Sequence, residues 1–217
     1  MSKQKIFYVH DALCGWCYGM SPVIQQLYKE HGQDYGFEVI SGGMIRGNNV
    51  RSISGMADYI RQAAPRLEQV TGAKLSEAYQ SKILGEGTYI SNSVPPAVAL
   101  AILKEQLPEQ QVPLAAAIQK LHFEEAKDLN EVESYLPVVQ ALGANEADFK
   151  QKFTDDAYEA KARKEFELVE SWGINGFPAV VSEANGKLYL VARGYQPIGQ
   201  LTAALERVQK EAFAGGA

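Results

Sequence analysis

Residues 11–18 of the chain read DALCGWCY and contain Cys14 and Cys17, the only two cysteines among 217 residues. A spacing of three places both sulfurs on one face of a helical turn, close enough to bond to each other. The stretch directly follows residues 5–10, KIFYVH, whose β-branched and aromatic residues predict a strand. The sequence therefore predicts a strand that leads into a helix whose first turn holds both thiols.

A Cys-x-x-Cys pair after a strand is typical of thiol redox sites, and we interpret Cys14 as the nucleophile and Cys17 as the resolving thiol. The N-terminus of a helix presents unpaired N–H groups and a partial positive charge, which favour the thiolate form of the leading cysteine. The alternatives are a chance pairing, an inert disulfide or half of a zinc site. A disulfide across so short a loop would add little stability.

Zinc needs about four ligands, and the other soft candidates, His10, His31 and His122, form no ligand-type pair. We therefore expect no metal and no organic cofactor. His122 stands next to Glu124 and Glu125 on a predicted helix, and we interpret it as a satisfied or surface histidine.

The composition is ordinary for a globular protein, with 46% hydrophobic and 22% charged residues. A net charge of -5 argues against a broad nucleic-acid surface, which would need clustered Lys and Arg. No run of about 18 or more apolar residues predicts a membrane span. No apolar signal-peptide core precedes the first strand, so we expect a cytoplasmic protein, in which a disulfide is more often catalytic than structural.

The pattern along the chain predicts an α/β fold interrupted by helices. Residues 37–40 predict a second strand, parallel to the first and joined to it by the cysteine-bearing helix. Residues 50–172 show no convincing strand but a succession of helical segments, which begin near residues 93, 113, 131, 146 and 157. Strand character returns at residues 177–182.

The C-terminal part predicts a hairpin and a closing helix. Asn185-Gly186 is a strong turn signal between two strands, and a helix follows from about Pro197, with residues 214–217 as a frayed tail. The element order is βαβ, a helical block, then ββα. We assign residues 1–48 and 155–217 to an α/β domain and residues 49–154 to an inserted helical domain.

Taken together, these features resemble the DsbA-like branch of the thioredoxin superfamily. More narrowly, the chain is similar to the signal-less bacterial group of protein-disulfide isomerase-like or FrnE-like oxidoreductases. The stretches that carry the resemblance span nearly the whole chain: DALCGWCYG at 11–19, SVPP at 93–96, FEEAKDL at 123–129, GFP at 176–178 and GY at 194–195. The resemblance implies a thioredoxin-like fold with a large all-helical insertion.

The residues alone leave the isomer of the Phe177–Pro178 bond open. The resemblance implies that Pro178 is a cis-proline facing the Cys14 sulfur, and that Phe177 offers backbone groups to an extended substrate, which pairs as an added strand. It also makes Cys14 the exposed nucleophile and Cys17 the buried resolving thiol. Trp16 is expected to be an apolar contact for substrate.

One departure from the family pattern concerns the residues between the cysteines. They are Gly15 and Trp16, whereas strongly oxidising DsbA has a histidine there, so no side-chain cation in this loop stabilises the thiolate. A less stabilised thiolate means a less oxidising couple. His10, four residues before Cys14, is the candidate accessory base.

The predicted function is thiol–disulfide exchange with disulfide- or dithiol-containing proteins or peptides, with glutathione or a thioredoxin-type partner recycling the pair. One alternative is a glutathione-dependent isomerase or transferase, similar to the kappa-class and 2-hydroxychromene-2-carboxylate isomerases, which usually lack the second cysteine. Another is a non-enzymatic, chaperone-like binding protein that uses the helical block and Trp16. The sequence leaves the physiological substrate, the direction of electron flow, the reduction potential and the oligomeric state open.

Overall fold

The computed structural model describes residues 4–213, in which six strands and nine α-helices follow one another. Their bounds in chain order are β1 Lys5–His10, α1 Gly15–His31, β2 Gly36–Ser41, β3 Arg51–Ser52, α2 Ala57–Thr71, α3 Leu84–Glu86, β4 Ile90–Ser91, α4 Val94–Gln106, α5 Gln111–Phe123, α6 Leu136–Ala141, α7 Glu146–Phe153, α8 Asp156–Ser171, β5 Ala179–Ala184, β6 Lys187–Arg193 and α9 Ile198–Phe213. The tail expected at residues 214–217 lies outside the described residues.

The central sheet has the strand order β2-β1-β5-β6. β1 pairs in parallel with β2 and antiparallel with β5, and β5 and β6 form an antiparallel hairpin. The βαβ unit, the hairpin around Asn185-Gly186 and the closing helix are therefore confirmed. No helix within residues 4–213 has the length and apolar character needed to cross a bilayer.

Helices cover both faces of the sheet, because successive side chains of a strand point to opposite faces. On β1, Ile6 and Tyr8 belong to the main buried cluster, which they share with residues of α1, α4 and α9. Phe7 and Val9 point the other way and pack in a smaller cluster with Val169 of α8. The strand that leads to Cys14 is thus buried on both faces, which holds its C-terminal end in place.

The segment between β2 and β5 is mainly helical, as predicted, but the expectation that it holds no strand was wrong. Arg51 and Ser52 pair antiparallel with Ser91 and Ile90, as β3 and β4. Strands of two residues are too short to show an alternating pattern in sequence. α2 was also missed, because its N-cap residue is Met56, which makes no capping bond, and Pro65 lies inside it.

The helices predicted to begin near residues 93, 113, 146 and 157 are present within two residues of those positions as α4, α5, α7 and α8. The helix expected near residue 131 begins as a 3₁₀ turn, Val132–Tyr135, and continues as α6. The main buried cluster contains residues from both sides of the proposed domain boundaries, among them Ile24, Leu100 and Ile118. The division of the chain at residues 49 and 154 stays a prediction.

An ion pair ties the helical block to the sheet beside the C-terminal end of β2. Lys104 of α4 contacts Glu165 of α8, with an N–O distance of 2.6 Å, and both side chains are largely buried. Lys104 also donates to the carbonyl of Val39, and Glu165 accepts from the N–H of Ser41 at 2.7 Å. These bonds anchor the C-terminal end of β2, from which the Gly42-Gly43 loop departs.

A second, smaller buried cluster lies against the start of α1. It is formed by residues of the inserted segment, including Leu67, Tyr79 and Phe123. Leu13 and Trp16 pack against it from the cysteine loop. The first turn of α1 therefore lies between the main core and this smaller cluster, and this position determines what surrounds the thiols.

Candidate active site

Cys14 occupies the N-cap position of α1, and its sulfur accepts a hydrogen bond from the N–H of Cys17 at 3.3 Å. An N-cap side chain satisfies one of the helix's unpaired N–H groups, a role usually filled by a hydroxyl or carboxylate oxygen. The sulfur therefore lies at the positive end of the helix dipole, where a negative charge is stabilised. Both cysteines are free thiols in the structure.

The two thiols differ in depth. Cys14 is 6% exposed and lines a cavity, whereas Cys17 is fully buried. Burial raises the pKa of the Cys17 thiol well above its usual value, and the adjacent Cys14 raises it further. The expectation of an exposed Cys14 was wrong, because its neighbours cover it and leave access from the cavity side.

The loop before β5 lies directly against Cys14. The Phe177–Pro178 peptide bond is cis, and the Cys14 thiol donates to the Phe177 carbonyl at an S–O distance of 3.7 Å. A Cβ at Gly42 would overlap the Phe177 ring, so glycine at this position lets the ring lie on the end of β2. The residues that the resemblance singled out are therefore adjacent, and their role in binding substrate stays a prediction.

A cavity of about 440 Å³ adjoins Cys14 and Phe177, and we call it the Cys14 cavity. Its walls are mainly apolar side chains of the inserted segment together with the cysteine loop. The lining residues include Leu13, Cys14, Trp16, Arg51, Ile53, Met56, Tyr59, Ile60, Leu67, Leu75, Tyr79, Ser91, His122, Phe123 and Phe177. This volume is within the range of small-molecule binding pockets.

The rim of the Cys14 cavity carries exposed apolar side chains. Met44, Met56 and Tyr59 are 38%, 37% and 64% exposed, respectively. Arg51, also exposed, forms no ion pair within residues 4–213. Trp16 is half-buried and forms part of the cavity wall. The rim residues could not be predicted from the sequence, because the segment from β3 to α2 carries no recognisable motif.

Asp11 holds the cysteine loop in place and was also missed. Its carboxylate accepts hydrogen bonds from the N–H groups of Leu13 at 3.0 Å and Met44 at 2.8 Å. Burial raises its pKa, and these hydrogen bonds act in the opposite direction. Asp11 therefore ties the start of α1 to the loop after β2. A single carboxylate between a strand and a helix is common in loops, so nothing in the sequence distinguished it.

His10 does not line the Cys14 cavity. It is 2% exposed, stacks on Tyr8 at a centroid distance of 5.3 Å, and burial lowers its pKa to about 3. It lines a separate space, about the size of one water molecule, together with Asp11 and Ser93. Its accessory role stays a prediction.

His122 was interpreted as satisfied or surface-exposed, and the structure corrects this. It is 1% exposed and lines the Cys14 cavity, and its Nδ1 atom has no hydrogen-bond partner among the described residues. The inserted segment covers it from outside, which periodicity on its own helix does not show. Within residues 4–213, no group of three or more His, Cys, Asp or Glu side chains is arranged to hold a metal ion.

Tyr18 connects α1 to the end of α5. Its hydroxyl donates to Glu124 Oε1 at 3.0 Å, and its ring stacks on Phe123 with the centroids 4.8 Å apart. Burial and the Glu124 carboxylate together raise the pKa of Tyr18 to about 12. The wall of the Cys14 cavity that contains Phe123 is thereby attached to the helix that carries both thiols.

Comparison with known proteins agrees with this architecture. A sequence model of the family described as DSBA-like thioredoxin domain matches residues 5–206. No curated protein sequence gives a significant match. A Nitrosomonas europaea structure, provisionally described as a protein disulfide isomerase, is 25% identical, with 97% of this chain and 99% of that chain covered and a TM-score of 0.86.

Solved structures of two further proteins share the fold. The cytosolic disulfide reductase DsbM of Pseudomonas aeruginosa is 23% identical, with 94% of this chain and 98% of that chain covered and a TM-score of 0.79, and its structure with GSH is also similar. A 2-hydroxychromene-2-carboxylate isomerase is 13% identical, with 98% and 100% covered and a TM-score of 0.67. The chain therefore belongs to the DSBA-like thioredoxin domain family and has the DsbA-like thioredoxin fold with a helical insertion.

Proposed function

We propose that the protein is a thiol–disulfide oxidoreductase that exchanges disulfides through Cys14 and Cys17. One observation carries the proposal: the Cys14 sulfur lies at a helix N-terminus, 3.7 Å from the Phe177 carbonyl, on the wall of an open cavity, with Cys17 buried beneath it. This is the arrangement that a two-thiol exchange needs, because only the first thiol has to meet substrate. Membership of the DSBA-like family supports the same reaction.

The exchange proceeds in two steps. The Cys14 thiolate attacks one sulfur of a substrate disulfide, the substrate S–S bond breaks, and the other sulfur leaves as a thiolate that takes up a proton. Cys17 then loses its proton and attacks the Cys14 sulfur of the mixed disulfide. The second substrate thiol is released with a proton. The substrate disulfide has then gained two electrons, and the two enzyme thiols have lost two electrons by forming the Cys14–Cys17 disulfide. In the reverse direction, the disulfide oxidises a dithiol.

The surrounding residues contribute to each step. Because burial raises the pKa of Cys17, this thiol stays protonated until the mixed disulfide forms next to it. Phe177 and Pro178 offer main-chain groups to an extended protein or peptide substrate, and Trp16 offers an apolar contact. Two glutathione molecules return the oxidised pair to the dithiol and form glutathione disulfide. The DsbM structure with GSH supports this partner, and the description of DsbM as cytosolic supports a cytoplasmic location.

Insulin reduction by glutathione tests the proposal, because each insulin disulfide joins two cysteines and needs both enzyme thiols. We expect Cys14→Ser to lose activity by about 1000-fold or more. Cys17→Ser should accumulate a mixed disulfide that mass spectrometry detects under non-reducing conditions. A Cys14→Ser variant with the wild-type rate would overturn the proposal.

Full turnover of a small electrophile with glutathione by Cys17→Ser would instead identify a glutathione-dependent isomerase or transferase. Binding of unfolded chains that survives Cys14→Ala, without insulin reduction, would identify a chaperone.

A further inference from the structure

The interior of the Cys14 cavity is apolar. Leu67, Leu75 and Tyr79 line it although they are buried, and Trp16 forms part of the wall. A charged group is strongly disfavoured in such an interior, because burial would remove its hydration. The part of a ligand that fills the interior must therefore be largely apolar.

Arg51 places a positive charge at the rim of this cavity. It is the only arginine among the described lining residues, and no lysine, aspartate or glutamate is among them. Its side chain is exposed, so a ligand can reach the guanidinium from solvent. Apolar walls lower the local dielectric constant, so a cation beside them attracts an anionic group more strongly than it would in open water.

The guanidinium of Arg51 differs from those of the two arginines that flank it in sequence. Arg46 contacts Glu170, and Arg61 donates to Asp58 at 2.9 Å. Within residues 4–213, Arg51 forms neither an ion pair nor a side-chain hydrogen bond. All five N–H donors of its guanidinium are therefore available to a ligand.

The main chain that carries Arg51 is held in place. Arg51 pairs with Ser91 across the β3–β4 ladder, and the N–H of Ile53 donates to the carbonyl of Tyr89 at 2.8 Å. Asn49, two residues before Arg51, also lines the cavity, and its exposed side-chain amide forms no hydrogen bond with any described residue. Binding an anion here therefore orders side chains only, and the Asn49 amide is a second donor.

We propose that the Cys14 cavity binds an apolar group that carries a carboxylate, with the apolar part in the interior and the carboxylate on Arg51 at the rim. A guanidinium fits a carboxylate through two parallel N–H···O bonds. Because Cys14 lines the same cavity, the bound group belongs to the disulfide substrate. The proposal rests on the thiol–disulfide exchange proposed above and adds a substrate preference to it. The carboxylate can come from an acidic residue of a peptide or from a small thiol acid.

Peptide mixed disulfides test the preference during turnover. The substrates are disulfides of glutathione with blocked three-residue peptides, in which cysteine is followed by leucine and glutamate in either order. Their controls carry glutamine in place of glutamate. In each turnover, one glutathione and the mixed disulfide give the free peptide thiol and glutathione disulfide, which NADPH and glutathione reductase report. We expect kcat/KM to be about two- to fivefold higher with glutamate in at least one order, the effect of one exposed ion pair. Added salt should reduce this ratio.

Substitutions of Arg51 test whether it carries the preference. Arg51→Gln should bring the ratio of glutamate to glutamine peptides to one, Arg51→Glu should bring it below one, and Arg51→Lys should keep it above one. Arg193→Gln is the matched control, because Arg193 is also an exposed strand arginine without an ion pair among the described residues, and it does not line the cavity. It makes the same change in net charge and should keep the wild-type ratio.

A binding measurement tests the same site without catalysis. The ligands are 4-phenylbutyrate and 4-phenylbutanamide, which share an apolar part and differ in charge. Trp16 lines the cavity and Trp172 does not, so in a Trp172→Phe background the tryptophan fluorescence reports binding at the cavity alone. We expect the carboxylate to bind about two- to fivefold more tightly than the amide, and Arg51→Gln to abolish this difference.

The two assays separate the sources of the carboxylate. A preference for glutamate among the peptides assigns the site to an acidic residue of a peptide substrate. A preference shown only by 4-phenylbutyrate assigns it to a small thiol acid. Both results support the site, because both depend on an apolar group with a carboxylate and on Arg51.

Three outcomes would overturn the proposal: no preference for the carboxylate in either assay, a preference that survives in Arg51→Gln, or a preference that Arg193→Gln removes. Selective binding of 4-phenylbutyrate without any Cys14-dependent turnover would leave this site standing and refute the proposed function. Cys14-dependent turnover without any preference would refute only the site, so the two failures are distinguishable.

Discussion

The Cys14 sulfur is in contact with two kinds of surroundings: main-chain groups, which we call the main-chain side, and a cavity walled mainly by side chains, which we call the cavity side. The N–H of Cys17 and the carbonyl of Phe177 approach the sulfur at 3.3 and 3.7 Å, respectively. The cavity is lined mainly by apolar side chains of the inserted segment, such as Ile53 and Leu67. Main-chain groups can bind any peptide in the same way, because every peptide has the same backbone. A cavity of fixed shape can instead distinguish substrates by their side chains. Substitutions on the main-chain side should therefore change the rate for all substrates, and those on the cavity side should change which substrate is preferred.

Among substitutions outside the two cysteines, the largest effect is expected from Gly42→Ala, which perturbs the main-chain side. The new Cβ would overlap the Phe177 ring, so the ring must move, and we expect the Phe177 carbonyl to be displaced with it from its place beside Cys14. A misplacement of about 1 Å near reacting atoms can cost about 100-fold in rate, and we expect a loss of this size in insulin reduction. Gly176→Ala is the control, because a Cβ there meets no atom within 4 Å. Equal rates for the two variants would show that the Phe177 carbonyl does not position the reaction.

Leu67→Ala tests whether truncating a side chain of the cavity wall destabilises the protein less than truncating one in the closed core. Leu67 is 5% exposed, and water can fill the space that it leaves because it lines the cavity. We expect the free energy of unfolding to fall by about 2 kcal/mol, the lower end for Leu→Ala substitutions. Leu205→Ala, in the closed main cluster, should cost about 3–4 kcal/mol in the same urea titration. Equal losses would mean that the cavity wall packs like the core.

The pH dependence of stability tests whether His122 is neutral. Its pKa is about 4 in the folded protein and about 6.5 when unfolded, so below pH 6.5 the unfolded chain binds a proton that the folded chain does not. The stability contributed by this difference is complete above about pH 6.5 and is lost as the pH falls towards 4. We expect the wild type to lose about 2 kcal/mol more than His122→Phe between pH 7 and pH 5.

Urea unfolding at the two pH values measures this difference, and His10, which also has a lowered pKa, contributes equally to both proteins. Identical pH dependence in the wild type and His122→Phe would contradict a neutral His122 ring.

Trp16→His tests how a side-chain cation between the cysteines, which this chain lacks, would change the reduction potential. Neither Gly15 nor Trp16 carries a charge, so only N–H groups and the helix dipole stabilise the Cys14 thiolate from this loop. A histidine here should stabilise the reduced form and raise the reduction potential by about 30 mV, which corresponds to about 1.4 kcal/mol. Equilibration with glutathione buffers measures the potential, and Trp16→Phe should leave it unchanged. A wild-type potential as high as that of DsbA, about −120 mV, would contradict the expected effect of the missing cation.

The smallest effect is expected from Tyr18→Phe, which cuts the hydrogen bond that joins the two sides. The Tyr18 hydroxyl donates to Glu124 in an exposed position, so water replaces the lost partner. We expect the free energy of unfolding to fall by about 0.5–1 kcal/mol, because the ring still stacks on Phe123. A loss above about 2 kcal/mol would show that the two sides depend on this contact, and that they are less separable than the comparison implies.

Features that depend on neighbours in the chain could be predicted from the sequence. The spacing of Cys14 and Cys17 places both on one helical turn, and the turn at Asn185-Gly186 sets the hairpin. The strands and most helices followed from periodicity, because burial of one face imposes it along the chain. β3, β4 and α2 were missed, since two-residue strands have no period and α2 lacks a capping residue.

The amino-acid sequence by itself thus determined that two thiols lie at the N-terminal end of a helix, within an α/β fold interrupted by helices. Only the tertiary structure decided how deep each thiol lies, and that a cavity lined by Arg51, Leu67 and His122 opens beside Cys14. The reason is physical: spacing and capping act over a few residues, whereas a cavity exists only where distant segments fail to fill the space between them. The same packing buries His122 without giving its Nδ1 atom a hydrogen-bond partner among the described residues, and no local sequence pattern predicts this burial.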